Sequence, residues 1–516
     1  MKLAARLAAV LLLGFLVAVA GGAAPACGQD PAGAAIEKLT GPSSRMEPDL
    51  RKLTDDIGGR ITGSAGYDQS LQWGIEAFRR AGVDSVKLET YPVELKWEPV
   101  SASASVVAPV AFPLSVVSFG LAPSTSGPLT APVVDAGMGT KADFERLGAS
   151  AKGAIVLVRS KPMQSFDDLF AEYMAAPAMM RAAVEQGAAA VLVLSTRPRE
   201  LLYRHTITWG TLTPIPMAQV SREDGLRVAR LLETRESGSV RATLDIRNKI
   251  GGPWQAANVV AEIRGSEKPE EIVLLGAHLD AWDLGTGALD NGVNCALVTE
   301  VARAIASGRR PRRTVRFVLF TSEETGLLGS LGYVRRHKNE LDAHVAVLIH
   351  DIGDGKVVGY FTNGRPELDA PVRAALAPVT GWGADNTNDE AILGTDNFDF
   401  LLEGVPNLIA IQETERYLAD YHASSDTFDK VDLELAKRNA AVAAVAVLGL
   451  ANAPARPGAR QTRAEIQKLL IDRGLEAQMK PYGLWSTWES GERGRARARA
   501  APRSRRCSST AGSRRR

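Results

Sequence analysis

Seven acidic and histidine residues of this 516-residue chain have the types and positions needed for metal-assisted hydrolysis. Imidazole nitrogens and carboxylate oxygens hold catalytic zinc, and a carboxylate beside a metal pair can move the protons of an attacking water. Taken singly, an acid in a loop is usually solvated and a histidine often belongs to the core, so the argument depends on the whole set. Its members are His278, Asp280, Asp290, Glu323, Glu324, Asp351 and His422.

Short buried strands are predicted directly before most of these residues. Apolar runs rich in branched side chains occupy residues 271–276, 314–320, 345–349 and 408–411, and each leads towards one or two candidate residues. Open α/β sheets place their ligands and catalytic groups beyond the carboxyl ends of such strands. The sequence therefore predicts an α/β fold with a site at one edge of its sheet.

The first residues of the set suggest two different tasks. His278 and Asp280 stand in GAHLDAWD, where Asp280 can accept a hydrogen bond from the His278 ring and so determine which nitrogen faces a metal. Asp290 lies in a glycine-flanked turn before a predicted helix at residues 293–305. A carboxylate projecting from that helix start is placed to bridge two cations.

The remaining residues supply further ligands and a base. Glu323 and Glu324 are adjacent at a loop start, so their side chains point in different directions and one can bind metal while the other handles protons. Asp351 ends the third apolar run, and His422 comes after the fourth. Together the set provides five ligands and one base.

With this set of residues, the chain resembles a known family, the zinc-dependent exopeptidases of the leucyl aminopeptidase and glutamate carboxypeptidase type. Within that family it most resembles the carboxypeptidase Q group. The resemblance extends from about residue 50 to about residue 452 in ordered segments. These segments are GGRITGS at Arg60, GAHLDAWDLGTGALDNG around His278, FTSEETGLLGS around Glu323, GTDNFDFLLEGVPN around Asp396 and YHASSDTFDKVD around His422.

The resemblance implies a mixed central sheet flanked by helices, two Zn²⁺ ions as cofactors, and a role for each residue. Glu323 is implied as the general base, which takes a proton from metal-bound water and returns it to the leaving amine. Asp280 is expected to orient the ring of the ligand His278 without binding metal itself. The implied ligands are His278 and Asp351 for one zinc, Glu324 and His422 for the other, and Asp290 as the bridge between them.

Two positions depart from the family pattern without removing a ligand. Asn291 stands where relatives often have a second Asp, and the peptide bond between Asp290 and Asn291 is expected to be cis, as in the family. His350 precedes Asp351, and because neighbours on a strand point to opposite faces, only the Asp is expected to bind metal.

Residues 101–247 are predicted to form a separate inserted module that resembles a protease-associated domain. Strands are expected at residues 154–158 and 189–194, and helices at residues 174–186 and 222–233. The module carries no catalytic set, and its expected role is to shape substrate access. His205 is interpreted as an exposed loop histidine outside the site.

The catalytic domain is accordingly expected to be discontinuous. It comprises residues 45–100 and 248–455, and a C-terminal extension follows at residues 456–490. A helix at residues 68–81 and a strand at residues 86–91 are predicted before the insertion.

The N-terminus has the pattern of a secretory signal peptide over residues 1–26. Lys2 and Arg6 precede an apolar run at residues 7–20, which leads to small residues before Cys27. No other run is long enough to span a membrane, so we expect a secreted or periplasmic protein. Lipid anchoring at Cys27 stays open, because the usual Leu of a lipoprotein box is missing.

The C-terminal residues 491–516 form a low-complexity tail that is expected to be disordered. It contains ten Arg and one Glu, so the rest of this chain of net charge +2 is net negative. The three cysteines do not suggest a disulfide framework, and Cys295 is interpreted as a small core residue.

Several functions remain open at this stage. A di-zinc exopeptidase for dipeptides or short peptides is expected, acting as a carboxypeptidase or dipeptidase, with an aminopeptidase as the alternative. A glutaminyl-cyclase-like acyltransferase and a non-catalytic binding protein on the same fold are further alternatives. We expect short peptide substrates, no nucleic-acid partner and a homodimer.

Overall fold

The structure is a computed structural model that describes residues 30–235 and 238–493. The predicted signal peptide, Cys27 and the tail beyond Arg493 lie outside the described residues. Within the described ranges, no helix combines the length and apolar character needed to cross a bilayer.

The described residues form sixteen strands, which pair into two sheets of eight strands each. The strands are β1 (Ser85–Val93), β2 (Lys96–Ala108), β3 (Phe112–Leu114), β4 (Val116–Ser118), β5 (Leu129–Asp135), β6 (Ile155–Val158), β7 (Ala190–Leu194), β8 (Met217–Val220), β9 (Arg241–Gly251), β10 (Trp254–Ile263), β11 (Lys268–His278), β12 (Arg313–Phe320), β13 (His344–Ile349), β14 (Val357–Phe361), β15 (Asn386–Asn388) and β16 (Asn407–Gln412).

The same residues form fifteen α-helices besides short single turns. The helices are α1 (Pro31–Thr40), α2 (Met46–Arg51), α3 (Ala65–Ala81), α4 (Lys141–Leu147), α5 (Phe166–Glu185), α6 (Arg222–Thr234), α7 (Val293–Ala306), α8 (Leu328–Arg336), α9 (Asp369–Leu376), α10 (Phe398–Leu402), α11 (Glu415–Asp420), α12 (Leu433–Asn452), α13 (Arg463–Asp472), α14 (Leu475–Met479) and α15 (Leu484–Glu489).

The first sheet is mixed, in the order β1-β10-β12-β11-β13-β16-β14-β15. Its centre is parallel, because β11 pairs in parallel with β12 and β13, and β13 pairs in parallel with β16. Strands β10 and β14 join this centre in antiparallel fashion. The strands predicted at residues 271–276, 314–320, 345–349 and 408–411 are all present in this parallel centre.

Helices cover both faces of the first sheet, which is why its central strands are apolar on both sides. Val273 and Leu275 of β11 face a core that includes α7 and α12, whereas Leu274 faces a second core with α8 and α10. This confirms the predicted α/β class with a mixed sheet between helices. Cys295 of α7 is buried in the first core, as predicted.

The second sheet belongs to the inserted module and has the order β3-β2-β9-β5-β6-β7-β8-β4. Strands β5, β6, β7 and β8 form its parallel part. Helices α4 and α5 pack on one face and α6 packs on the other. Helix α5 begins earlier than the predicted residue 174, because Ser165 caps it by accepting a hydrogen bond from the Asp168 backbone N–H.

The chain enters and leaves the second sheet through one pair of adjacent strands. Strand β2 follows β1 directly and pairs antiparallel with β9, with Lys96 opposite Gly251. Strand β10 then pairs with β1, with Trp254 opposite Val93. The first sheet is therefore continuous across the insertion, because β1, which precedes the insertion, pairs with β10, which follows it.

Candidate metal centre

The parallel strands of the first sheet bring the candidate residues to one edge. Strands β11, β12, β13 and β16 run in the same direction, so their carboxyl ends open on the same side of the sheet. This edge carries His278 at the end of β11, Glu323 and Glu324 after β12, Asp351 after β13, His422 after β16 and α11, and Asp290 in the turn Ala288–Gly292 before α7.

Three buried side chains form a first group of potential ligands. The Nε2 atom of His278 lies 2.8 Å from Oδ1 of Asp351 and 3.2 Å from Oδ1 of Asp290. These atoms converge closely enough to hold one metal ion. The residues come from two strand ends and a turn, so only the fold brings them together.

A second group forms around the other imidazole. The Nε2 atom of His422 lies 3.0 Å from Oε2 of Glu324 and 3.2 Å from Oδ2 of Asp290. Asp290 thus presents one carboxylate oxygen to each group, which is the geometry of a bridging ligand.

Glu323 belongs to neither group of converging donors. Its half-buried side chain lines the cavity in front of the site, beside the ligands. Burial raises the pKa of Glu323 well above its ordinary value despite the opposing effect of His278, and the Asp351 and Glu324 carboxylates raise the pKa further.

The donor set fits zinc in both type and spacing. Two imidazoles and three carboxylates are ordinary zinc ligands, and tetrahedral ligands about 2.0–2.1 Å from zinc lie about 3.3 Å from one another. The donor separations of 2.8 to 3.2 Å are close to this value. In addition, the Oε1 atom of Glu324 is buried with no hydrogen-bond partner among the described residues.

The charges of these groups perturb their proton affinities strongly. Burial raises the pKa of Glu324 to about 7, with Asp290 adding to the rise against the opposing effect of His422. Burial alone would lower the pKa of His422, but the Glu324 and Asp290 carboxylates raise it to about 10. Metal binding to these donors would therefore be coupled to the release of protons.

The His278 ring is oriented by its own loop. Its Nδ1–H donates to the backbone carbonyl oxygen of Asp280 at 2.9 Å, whereas the Asp280 carboxylate lies 3.9 Å away. The prediction that the Asp280 side chain accepts a hydrogen bond from this ring is therefore wrong, because the backbone carbonyl of the same residue accepts it. Its carboxylate instead accepts the backbone N–H of Glu323 at 3.2 Å and so supports the start of the loop that carries the base.

The backbone around Asp290 is held by Asp426, a residue that sequence reasoning did not single out. The Asp426 carboxylate accepts the backbone N–H groups of Leu289 at 2.6 Å and Asp290 at 3.1 Å. The Asn291 side-chain amide donates to Oδ1 of Asp351 at 3.1 Å. The Asp290–Asn291 peptide bond is cis, as the resemblance implied. Asp426 lies within the YHASSDTFDKVD segment, but nothing in its spacing pointed to this role.

Two other histidines were assigned from sequence to positions outside the site. His350 bonds through Nε2 to the Tyr360 hydroxyl at 2.9 Å and belongs to neither ligand group, as predicted. The prediction for His205 is wrong in one respect, because its ring is only 2% exposed. Its ring packs edge-on against Tyr173 at 4.2 Å and against Phe119 at 5.9 Å, and both of these residues belong to the inserted module.

A cavity of about 400 Å³ opens in front of the ligand groups. The first turns of α5 contribute Phe166, Phe170 and Tyr173 to its wall, and the loop before β8 contributes Trp209. Tyr482 reaches the same cavity from the C-terminal extension. The walls in front of the site are thus largely apolar, and the inserted module and the C-terminal extension contribute to them together with strands β14 and β16 of the catalytic sheet.

The charged residues of the cavity are all acidic apart from the two metal-facing histidines. Asp167 and Glu390 line it in addition to the ligands and Glu323. Among the lining residues that the structure describes, none is Lys or Arg. Two zinc ions would offset the charge of the ligand carboxylates, but Asp167 and Glu390 still suit a cationic group of a ligand better than an anionic one.

Two sequence profiles match the chain. The profile "Peptidase family M28" matches residues 258–447, which include all seven candidate residues, and the profile "PA domain" matches residues 125–228. Carboxypeptidase Q from Xenopus laevis is 29% identical over 393 residues, which cover 74% of this chain and 81% of that protein.

Solved structures agree with this relationship. The crystal structure of a peptidase M28 precursor from Shewanella amazonensis SB2B superposes with a TM-score of 0.75 at 29% identity, covering 84% of this chain and 98% of that one. A zinc aminopeptidase from Bacillus subtilis shares the fold, with a TM-score of 0.62 at 22% identity, covering 78% of this chain and 93% of that one.

Proposed function

We propose, from the premise that this chain belongs to peptidase family M28 and carries a PA domain, that it is a secreted di-zinc exopeptidase for dipeptides or short peptides. The observation that carries the proposal is the pair of three-residue ligand groups that share Asp290, with Glu323 beside them but in neither. A zinc metallopeptidase needs such ligands and a separate proton carrier. A non-catalytic relative would have no reason to keep both groups and the base.

We assign one zinc to His278, Asp351 and Asp290, and the other to Glu324, His422 and Asp290. When bound, the two ions would lower the pKa of a water and polarise the scissile carbonyl. Glu323 accepts a proton from the attacking water on its carboxylate and delivers it to the nitrogen of the departing amine. That delivery matters because an amide anion is a very poor leaving group.

The cavity supports short substrates. A volume of about 400 Å³ falls in the ordinary range of small-molecule sites, and a folded protein could not reach the ligands through it. Phe166, Phe170 and Trp209 from the inserted module form part of the wall. We infer that this module limits substrate length, and that its apolar surface receives peptide side chains.

The charge of the cavity favours recognition of a free amino end. A substrate ammonium group would be stabilised by acidic side chains such as Asp167 and Glu390, whereas a substrate carboxylate needs a cation. Aminopeptidase or dipeptidase activity is therefore favoured over carboxypeptidase activity on larger peptides. Because the chain is similar to carboxypeptidase Q, carboxypeptidase activity is the alternative that the experiment must test.

The deciding experiment compares one dipeptide in its free, N-acetylated and C-amidated forms, with zinc-loaded enzyme and a Glu323→Gln control. Loss of cleavage on acetylation alone indicates an aminopeptidase, and loss on amidation alone indicates a carboxypeptidase. Loss on both indicates a dipeptidase. Absence of cleavage of every form despite bound zinc would refute the proposal and favour the acyltransferase or binding alternatives.

The location outside the cytoplasm is part of the proposal and depends on the N-terminal sequence. Lys2, Arg6 and the apolar residues 7–20 support export, and Cys27 is the candidate for lipid attachment. Cell fractionation with intact-mass analysis of the mature protein, compared with a Cys27→Ser variant, tests both points. The homodimer stays a prediction that light scattering would check.

A further inference from the structure

A short segment of the inserted module, Leu202–Arg204, pairs with the chain at the metal ligand His422. Tyr203 and Ala423 form an antiparallel bridge. The Arg204 backbone N–H donates to the His422 carbonyl oxygen at 3.0 Å, and the His422 Nδ1–H donates to the Arg204 carbonyl oxygen at 2.8 Å. Arg204 therefore contacts both the backbone and the ring of this ligand.

The two metal-facing imidazoles differ in where their supporting carbonyl comes from. His278 donates to Asp280, two residues further along the same loop. His422 donates to Arg204, which is 218 residues away in the sequence and belongs to the inserted module. The carbonyl that holds the Nδ1–H leaves the Nε2 atom deprotonated towards the metal.

The backbone of His422 makes this external support important. Its φ angle is 57°, in the left-handed region that residues with a Cβ atom rarely adopt. A conformation of this kind persists only where surrounding interactions hold it. The hydrogen bonds to Arg204 lie directly on this residue.

The Arg204 side chain anchors the segment to the catalytic domain. Its guanidinium forms a bidentate pair with Asp283, with Nε–Oδ1 at 2.7 Å and Nη2–Oδ2 at 3.0 Å. The group is only 3% exposed and lies near the rings of Trp97 and Trp282, at 5.5 and 6.0 Å. Asp283 belongs to the catalytic domain, so this pair ties the segment that supports His422 to that domain.

A second contact from the inserted module reaches the same ligand indirectly, through the catalytic-domain residue Tyr421. The Tyr421 ring stacks on the His422 imidazole with centroids 3.7 Å apart. The Tyr421 hydroxyl in turn lies 2.6 Å from the hydroxyl of Tyr173 on α5. The imidazole is thus held at its Nδ1 atom and on one face by contacts that lead to the inserted module.

We propose that Arg204 is a positioning residue for the second metal group, so that the inserted module contributes to the zinc affinity of Asp290, Glu324 and His422. The inference rests on the proposed two-zinc site. The inserted module then supports a metal ligand in addition to lining the cavity. The first group, around His278, does not depend on it in this way.

The test uses Arg204→Met, which keeps the aliphatic stem and removes the anchor, and Asp283→Asn, which weakens the same pair from the catalytic domain. Arg159→Met is the matched control, because Arg159 pairs with Asp135 within the inserted module and does not line the cavity. Zinc binding to the full-length apoprotein is measured by chelator competition, and native mass spectrometry counts the bound ions.

Wild type and Arg159→Met should bind two zinc ions. Arg204→Met and Asp283→Asn should keep one site unchanged and weaken the other by about 10–100-fold, the usual effect of losing a partner behind a metal-binding histidine. If Arg204→Met does not fold, Asp283→Asn carries the test, since it leaves the inserted module intact.

If both sites of the variants bind zinc with the same affinities as in wild type, the positioning role of Arg204 is overturned, and the two-zinc proposal is not affected. Equal weakening of both sites would also overturn it, because a general loss of structure does not distinguish the two groups. Binding of only one zinc by wild type would overturn the two-zinc proposal, and this inference with it.

Discussion

Replacement of Arg60 by Met should destabilise the catalytic domain severely, although Arg60 touches no ligand. Its guanidinium is fully buried and donates to four backbone carbonyl oxygens. These belong to Leu279 at 2.7 Å, Gly58 at 3.0 Å, Thr286 at 2.7 Å and Gly287 at 2.9 Å.

Three of these carbonyls lie in residues 279–287, which connect β11 to the turn that carries Asp290. A buried acceptor that loses a charged donor costs about 1.5–3 kcal/mol, so three acceptors give about 5 kcal/mol at the lower end of the range. That figure is comparable with the whole stability of an ordinary domain, about 5–15 kcal/mol. We therefore expect Tm to fall by about 10 °C or more in Arg60→Met.

The assay is calorimetric unfolding of the full chain, with and without added zinc. Arg247→Met serves as the control, because Arg247 is exposed and solvent screens its pair with Asp245, so that its loss should leave Tm nearly unchanged. The Tm of Arg60→Lys should lie between those of Arg60→Met and Arg247→Met, since one ammonium group cannot reach all the carbonyls that are arranged around a planar guanidinium. An Arg60→Met protein with Tm within about 2 °C of wild type would refute the reasoning.

Further predictions concern the metal centre and one buried ion pair. Glu323→Gln should lower kcat about 10²–10⁴-fold with both zinc ions retained, whereas Glu324→Gln should lose an ion, as measured by steady-state kinetics and native mass spectrometry. His350→Phe should retain both ions in the same measurement, because its ring bonds to a tyrosine and not to the ligand groups. Burial opposes ionisation of Glu89, but the hydrogen bond from His337 lowers its pKa from 4.5 to about 2. Its ionised form therefore stabilises the fold above pH 4.5 by about 3 kcal/mol, and this contribution disappears as the pH falls towards 2. Thermal melts should accordingly show a Tm deficit for Glu89→Gln at neutral pH that shrinks over this range.

Specific results would contradict each of these expectations. Loss of zinc from Glu323→Gln would place that residue among the ligands and remove the candidate base. Loss of an ion from His350→Phe would indicate that His350, the neighbour of Asp351, binds metal. A Tm deficit of Glu89→Gln that is independent of pH would show that packing, not charge, holds that side chain in place.

Much of the fold and most of the candidate site could be predicted because the evidence for them is local. Strands β11, β12 and β13 are short branched apolar runs, and this pattern depends only on burial of both faces of a sheet. His278 and Asp351 come at the ends of such runs, so a parallel sheet necessarily carries them to one edge.

Contacts between distant loops could not be predicted in this way. His205 is predicted as an exposed loop histidine, yet Tyr173 and Phe119, which are distant from it in the sequence, pack against its ring and the residue is buried. Asp426 and Arg60 support the loops around Asp290 through backbone groups, and a backbone group leaves no signature in the sequence.

The sequence by itself determined which residue types are available and which strand ends they follow, since hydrophobic periodicity and ligand chemistry act over a few neighbouring residues. The tertiary structure decided which oxygen of Asp290 faces which imidazole, and that the partner of His278 is a backbone carbonyl. It also decided that His422 depends on Arg204, because two segments 218 residues apart become neighbours only when the inserted module folds against the catalytic domain.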